Sequence, residues 1–187
     1  MRIITGSAKG TKLKPPKGLS TRPTGDRVKE SLFNILGFQL NETRVLDLFA
    51  GTGNLGLEAL SRGAHSALFV DQDMQSINLI KENAQLTKLV EKTQIYKGEV
   101  LRTIDGLANT MQKFDLIFCD PPYNKGLVNR VLDKLDTTRI LSDEGIIIME
   151  HSRHELVADQ WKHLHCFRRE RYGETTLSFL SYKQEVK

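Results

Sequence analysis

Residues 45–56 read VLDLFAGTGNLG, and three kinds of local structure follow one another in them. Val45 to Phe49 is a short, mostly apolar run, which is typical of a parallel strand covered on both faces. Gly51, Gly53 and Gly56 then have the G-x-G-x-x-G spacing, which lets a backbone turn tightly and approach a ligand closely. The segment therefore predicts a strand, a glycine turn and a helix that together form a ligand-binding unit.

The residues that follow this turn predict how a nucleoside would be held. Asn54 is expected to cap the helix, and the next apolar run, residues 67–70, ends at Asp71. Asp71 lies 20 residues after Gly51. An acidic residue at that distance can accept two hydrogen bonds from a ribose diol. We therefore expect a cofactor that contains a nucleoside.

Asp47 distinguishes between two classes of cofactor. A dinucleotide would place its pyrophosphate at the glycine turn and the helix N-terminus, where anions bind well. A carboxylate four residues before Gly51 would repel that charge. S-adenosylmethionine has no phosphate and carries an ammonium and a sulfonium group, both of which suit an aspartate. The sequence favours S-adenosylmethionine, with two alternatives left open: a dinucleotide, or an Asp47 that only orients the turn.

Length and composition indicate one α/β domain with a full core. The chain has 187 residues, of which 39% are hydrophobic and 27% charged, as in ordinary globular proteins. It has no apolar run near the roughly 20 residues of a membrane span and no apolar signal core at the N-terminus, so a cytoplasmic protein is expected. Cys119 and Cys166 are far apart and predict reduced thiols. We expect a monomer without a metal site.

Positive charge is concentrated at the N-terminus. Residues 1–30 contain eight Lys and Arg against two Asp and Glu, a net charge of +6, so the rest of the chain carries −2. Residues 2–5 and 11–14 predict a small basic hairpin, and apolar spacing predicts a helix that ends at Gly37. We therefore divide the chain into an N-terminal extension, residues 1–37, and a main domain, residues 38–187. The extension is expected to contact phosphates, unless it is only a solvated basic tail.

Strands and helices alternate along the rest of the chain. This order predicts a parallel sheet with helices on both faces, followed by an antiparallel hairpin at the sheet edge. The predicted elements are helix 74–89, strand 93–97, helix 100–110 interrupted at Gly106, strand 114–119, helix 127–135, strand 145–149, and the two hairpin strands 163–171 and 175–183.

A second group of chemically useful residues follows the strand 114–119: Asp120, Pro121, Pro122 and Tyr123. Ligands of open α/β sheets bind beyond the carboxyl ends of the strands, so these residues should face the same crevice as the glycine turn. The prolines fix the backbone and leave carbonyls as acceptors. Asp120 also accepts, and Tyr123 offers a face on which a base can stack. Acceptors beside a stacking ring suit an exocyclic amine on a planar heterocycle.

Taken with these four residues, two further segments give the chain a family resemblance. They are residues 22–34, which include RPT and DRVKESLFN, and LDLFAGTG at 46–53. Together the three segments resemble the RsmD family, which uses S-adenosylmethionine to methylate the N2 amine of one guanine in 16S ribosomal RNA. The resemblance covers nearly the whole chain and implies a Rossmann-like, seven-stranded methyltransferase sheet. Its implied partner is ribosomal RNA or a small ribosomal subunit particle.

The resemblance also implies roles for individual residues. Asp120, Pro121, Pro122 and Tyr123 match the catalytic motif. The implied cofactor-binding residues are Asp47, Phe49, Ala50, Gly51, Thr52, Gly53, Asp71, Gln72, Glu99 and Val100, with Asp71 at the ribose and Gln72 and Glu99 at the adenine. The residues expected at the RNA are Arg2, Lys9, Lys12, Arg22 and Arg27. Three other functions stay open: a DNA adenine-N6 methyltransferase, a dinucleotide-binding oxidoreductase and an inert RNA-binding module.

Overall fold

A computed structural model describes residues 1–16, 25–37 and 40–184. Its centre is a seven-stranded sheet in the order β3-β2-β1-β4-β5-β7-β6. Strands β1 to β5 are parallel to one another, and β7 is antiparallel to both β5 and β6. The strands are β1 Arg44–Leu48, β2 Ser66–Asp71, β3 Thr93–Lys97, β4 Phe114–Cys119, β5 Leu141–Ser152, β6 Leu164–Tyr172 and β7 Thr175–Tyr182.

Helices cover both faces of this sheet, as alternation of strands and helices predicts. The helices are α1 Asp26–Leu36, α2 Asn54–Ser61, α3 Met74–Thr87, α4 Val100–Ala108 and α5 Leu127–Thr138, with a 3-10 turn at Val90–Lys92. Residues of α1, α2 and α3 belong to one apolar cluster and those of α4 and α5 to another. Because side chains alternate along a strand, Val45 joins the first cluster and Leu46 the second. The fold-class prediction is confirmed.

The predicted elements are confirmed, most of them with ends within two residues of those predicted, and α4, α5 and β5 depart furthest from the prediction. Helix α4 continues through Gly106 to Ala108, since Val100, Thr103 and Ile104 bury one face of it. Helix α5 extends to Thr138, where Asp136 accepts hydrogen bonds from the amides of His163 and Leu164. Strand β5 is longer than predicted at both ends. The added residues of α5 and β5 have partners that are distant in sequence.

One capping prediction is wrong. Asn54 is the first residue of α2, and its cap is Gly53, with φ 76°. The Asn54 side chain instead accepts a hydrogen bond from Lys29 Nζ at 2.7 Å. The buried ammonium group of Lys29 on α1 therefore binds the Asn54 side chain, which was predicted to cap the helix backbone.

The N-terminal hairpin forms and packs against the main domain. Arg2 and Lys12 pair in an isolated antiparallel β-bridge, and the Ile3 amide donates to the Thr11 carbonyl at 3.0 Å. Ile3 and Leu13 are buried in the same apolar cluster as α2. The residue ranges 1–37 and 38–187 thus share a core, and the boundary between them stays a prediction.

A buried ion pair links the N-terminal segment to α2. Lys29 Nζ lies 3.0 Å from Glu58 Oε2, and neither side chain is exposed to solvent. Glu58 also accepts from Arg62 Nε and from the amides of Ile4 and Thr5, at 2.8 to 3.0 Å. Lys29 Nζ also donates to the carbonyl oxygen of Arg2 at 2.6 Å. We call Lys29, Glu58 and Arg62 the N-terminal charge cluster. Its two cations share the carboxylate of Glu58, which also binds the hairpin amides and so fixes the hairpin on α2.

Two further findings bear on the class of protein. Across the described ranges, no helix is long and apolar enough to cross a membrane. The same residues contain no group of three or more His, Cys, Asp or Glu that could hold a metal ion. Cys119 and Cys166 are free thiols.

Candidate active site

A cavity of about 710 Å³ lies beyond the carboxyl ends of the parallel strands. This volume lies within the usual range for small-molecule sites. The cavity has two parts, named here by a residue at each end. The glycine half is lined by Phe49, Gly51, Asp71, Gln72, Asp73, Ser76, Glu99 and Val100. The Asp120 half is lined by Gly25, Val28, Asp120, Pro121, Pro122, Tyr123, Leu127, Glu150, Tyr172, Glu174 and Thr175.

The glycine turn is tightly constrained by its surroundings. Phe49, Gly51 and Gly53 all have positive φ angles, of 59°, 56° and 76°. At Gly56 a Cβ atom would lie 2.4 Å from the Phe69 ring and 3.0 Å from Asp47 Oδ2. Glycine at that position therefore lets α2 approach the sheet closely, which is the role of the third glycine in such turns. The turn holds the Phe49 and Gly51 backbone at the cavity wall.

Asp71 lines the cavity and also supports the turn. Its Oδ2 accepts from the Gly51 amide and its Oδ1 from the Asp73 amide, both at 2.9 Å. An ionised carboxylate has about four acceptor sites, so these contacts are compatible with binding a ribose. Asp71 is thus held in one orientation at the end of β2.

Asp47 lies beneath the turn and does not line the cavity. Its side chain is 3% exposed, and Oδ2 accepts from the Gly56 amide at 2.9 Å. Burial raises its pKa to about 8, with a smaller contribution from the charge of Asp71. Asp47 therefore contacts the backbone that follows the turn, and its predicted contact with the cofactor stays a prediction. Ala50, Thr52 and Gly53 are also absent from the cavity lining, and their predicted contact with the cofactor stays a prediction.

The remaining cofactor candidates lie at the other side of the glycine half. Gln72, Glu99 and Val100 all line the cavity. Glu99 caps α4: its two carboxylate oxygens accept from the amides of Leu101 and Arg102 at 3.1 and 2.9 Å. The longer side chain of a glutamate reaches the first turn of its own helix. Its predicted contact with adenine stays a prediction.

Asp120 and the two prolines form the far wall of the cavity. Asp120 is partly exposed there, whereas Pro121 is buried and Pro122 exposed. The surrounding protein raises the pKa of Asp120 well above its ordinary value, first by desolvation and then through the charges of Glu150 and Asp47. A carboxyl group with a raised pKa in a cleft is a recurrent feature of functional sites.

Tyr123 is held in place by two residues that sequence reasoning missed. Its hydroxyl donates to Glu150 Oε1 at 2.9 Å and lies 3.1 Å from Thr175 Oγ1. Glu150 had a detectable signal, since it directly follows the predicted strand 145–149 and so lies at the carboxyl end of the sheet. Thr175 begins the strand that pairs with β5, and only the strand order reveals its proximity. Burial, followed by the Glu150 charge, raises the pKa of Tyr123, so its hydroxyl stays protonated.

The charges around the cavity have one sign. Six acidic residues line it, and no Lys, Arg or His is among its described lining residues. The acidic residues are Asp71, Asp73, Glu99, Asp120, Glu150 and Glu174. A field of this sign attracts a cation and repels a pyrophosphate. The described lining of the cavity therefore suits a positively charged cofactor.

The predicted RNA-contacting residues lie outside the cavity. Arg2, Lys9, Lys12 and Arg27 are all exposed, and Arg2 makes a long ion pair with Asp26 at 3.8 Å. Arg22 falls outside the described residues. Four of the five candidates therefore remain available to phosphates.

The chain matches known proteins over nearly its whole length. The family model described as conserved hypothetical protein 95 matches residues 1–181. "Putative rRNA methyltransferase YlbH" of Bacillus subtilis is 41% identical over 94% of this chain and 95% of its own. "Ribosomal RNA small subunit methyltransferase D" of Escherichia coli K12 is 37% identical over 80% and 74%. The solved structure of "Putative methyltransferase yhhF from Escherichia coli" has a TM-score of 0.84 at 30% identity, over 98% of both chains. The chain belongs to the conserved hypothetical protein 95 family, the RsmD family of ribosomal RNA methyltransferases.

Proposed function

We propose that the protein methylates the exocyclic N2 amine of a guanine in small-subunit ribosomal RNA. One observation supports this most strongly: a glycine turn suited to a nucleoside and an Asp-Pro-Pro-Tyr wall suited to an amine face each other across one acidic cavity. The names of the relatives supply the class of RNA. The acceptors and the stacking ring of the Asp120 half support an exocyclic amine as the group that is methylated.

The residues of the glycine half fit S-adenosylmethionine. An acidic lining is compatible with the ammonium and sulfonium groups of this cofactor, and it would disfavour NAD. Asp71 is placed to accept from the ribose hydroxyls, with Gln72, Glu99 and Val100 available to the adenine. Bound here, S-adenosylmethionine supplies an electrophilic methyl group. The protein needs no metal ion for this chemistry.

The Asp120 half then positions the nucleophile. Asp120 and the carbonyls beside the two prolines accept the hydrogens of the amine, which aims its nitrogen and favours the positive charge that develops on it. Tyr123 offers its ring as a stacking surface, and Glu150 and Thr175 fix the orientation of that ring. The base has to leave its stack to enter a cavity of this kind. Alignment is therefore the main contribution of the protein.

The exposed cations of the N-terminal hairpin are proposed to bind the RNA backbone. Deleting the hairpin would remove Ile3 and Leu13 from the core, so charge reversal is the cleaner test. We expect Lys9→Glu with Lys12→Glu to weaken RNA binding and lower the salt slope by about 0.7 per lost phosphate contact on single-stranded RNA. Arg130→Glu, on the opposite face of the sheet, is the control. Equal salt slopes for all three proteins would place the RNA surface elsewhere.

Mapping methylated nucleotides in ribosomal RNA tests the main proposal. RNA is compared from cells that contain the protein, lack it, or contain only Asp120→Ala. One N2-methylguanine in small-subunit RNA should be present in the first strain, missing from the second and missing or strongly reduced in the third. A missing methylation on adenine, or on a large-subunit nucleotide, would refute the proposed target.

A further inference from the structure

Two carboxyl groups lie side by side in the Asp120 half. Strands β4 and β5 are parallel, with Cys119 opposite Met149. The next residues of the two strands, Asp120 and Glu150, therefore emerge together at the cavity, and both line it. The family motif explains Asp120 as the acceptor for the amine. It assigns nothing to Glu150.

Glu150 is placed for contact with a base that stacks on Tyr123. Only 5% of it is exposed, and that surface faces the cavity. The Tyr123 hydroxyl, at 2.9 Å, fixes Glu150 Oε1 beside the stacking ring. A carboxylate offers two oxygens and about four acceptor sites, so this contact is compatible with accepting from a ligand. The acceptor and the stacking face thus form one rigid unit.

The hydrogen-bonding groups of guanine and adenine differ in a way that this pair of acceptors can distinguish. On its Watson–Crick edge, guanine presents two neighbouring donors, the N1–H and the N2 amine. Adenine presents one donor, the N6 amine, beside N1, which is an acceptor. A pair of acceptors complements the guanine edge, whereas a carboxylate facing adenine N1 would be left unpaired and repelled.

We propose that Glu150 is a specificity-determining residue that accepts the N1–H of the target guanine while Asp120 accepts from its N2 amine. This inference rests on the proposed function. It deepens it by naming the residue that selects guanine over adenine. Glu150 then contacts both the N1–H of the base and the Tyr123 hydroxyl. The residue that reads the base edge also orients the ring that stacks on the base.

The test uses RNA in which the mapped guanine is replaced by 2-aminopurine. This base keeps the N2 amine but has an acceptor at N1. Single-turnover methylation rates are measured for both RNAs with the wild-type protein and Glu150→Gln. We expect the wild type to prefer guanine by roughly a hundredfold or more. The amide of Gln can donate to N1 of 2-aminopurine, so the preference should fall by about tenfold or more.

Comparing the ratio of rates between proteins cancels the effect of the missing O6 of 2-aminopurine, which is common to both. Glu174→Gln is the matched control, since Glu174 also lines the cavity but is paired with Arg153 and His154. Its preference should equal that of the wild type. Glu150→Asp, which withdraws the carboxylate by one methylene, should also lower the preference, and it replaces Glu150→Gln if that variant does not fold.

Equal preferences in the wild type and the Glu150 variants would overturn the inference, as would an equal loss of rate on both bases. Neither result would affect the proposed function, because methylation of guanine would still be observed. A wild-type protein that methylates no guanine would instead refute the proposed function, and this inference with it.

Discussion

Two clusters of buried charge in this molecule have opposite character. In the N-terminal charge cluster, Lys29 and Arg62 surround Glu58, and every charge has a partner within 3.0 Å. Beside the cavity lie three acidic residues, Asp120, Glu150 and Asp47, and burial, followed by the charges of Glu150 and Asp47, raises the pKa of Asp120. We call these three residues the acidic cluster. In the first cluster burial lowers the pKa of Lys29, and attraction to Glu58 offsets only part of this effect. Removing one partner would leave a buried charge uncompensated, whereas like charges shift proton equilibria and suit chemistry.

Breaking the N-terminal charge cluster should have the largest effect. Lys29→Ala leaves Asn54 Oδ1 and the Arg2 carbonyl without their donor and removes one partner of Glu58. Losing one member of a buried pair typically costs about 3–5 kcal/mol. Urea unfolding measures the loss. Lys14→Ala, which breaks the exposed pair with Glu82, is the control and should cost at most about 1 kcal/mol. Similar losses for both variants would contradict a special role for burial.

Removing Asp120 from the acidic cluster should affect activity more than stability. Asp120→Ala removes the acceptor aimed at the amine, and we expect methyl transfer to slow by roughly a hundredfold or more. Asp120→Asn keeps a carbonyl acceptor. It should therefore retain more activity than Asp120→Ala. Single-turnover assays at saturating cofactor decide this, and an Ala variant as fast as the wild type would exclude the acceptor role.

Asp47, a member of the acidic cluster, should make the free energy of unfolding depend on pH. Its pKa is raised from 3.8 to about 8, so the native state keeps a proton that the unfolded chain releases in this range. The free energy of unfolding of the wild type should therefore fall as pH rises from about 4 to about 8, by at most about 1.4 kcal/mol per pH unit. Asp47→Asn should lose this slope and become the more stable protein near pH 8. Parallel pH profiles in urea unfolding would show that Asp47 is ionised in the fold.

The smallest effect is expected from removing the hydroxyl of Tyr123, which contacts Glu150 of the acidic cluster. Tyr123→Phe removes the hydrogen bond to Glu150 but keeps the stacking ring, so most activity should remain, with a loss of about 0.5–1.5 kcal/mol in stability. Tyr123→Ala also removes the ring, and base stacking is worth about 1–3 kcal/mol. The two variants are compared in the methylation assay. An inactive Phe variant would mean that the tyrosine hydroxyl takes part in the chemistry.

Local patterns predicted much of the fold and of the site. Strands β3 and β4 have the predicted ends, and for β4 the reason is that a short apolar run between polar residues specifies its own limits. The glycine turn and residues 120–123 meet in one cavity because parallel strands bring their carboxyl ends to the same edge. The wrong expectation for Asn54 has a simple cause: Lys29, 25 residues earlier, competes for its side chain.

The chemical groups of the site could thus be identified from the sequence alone. They are a glycine fingerprint, an acidic residue at the end of each of two apolar runs, and a basic N-terminus. The tertiary structure decided which of these groups work together. Asp47 faces α2 rather than the cavity because side chains alternate across a strand, and Gly56 brings the helix amide to it. Glu150 meets Tyr123 only because β5 lies between β4 and β7. Such partners depend on strand order and register, which are set by packing between segments far apart in sequence.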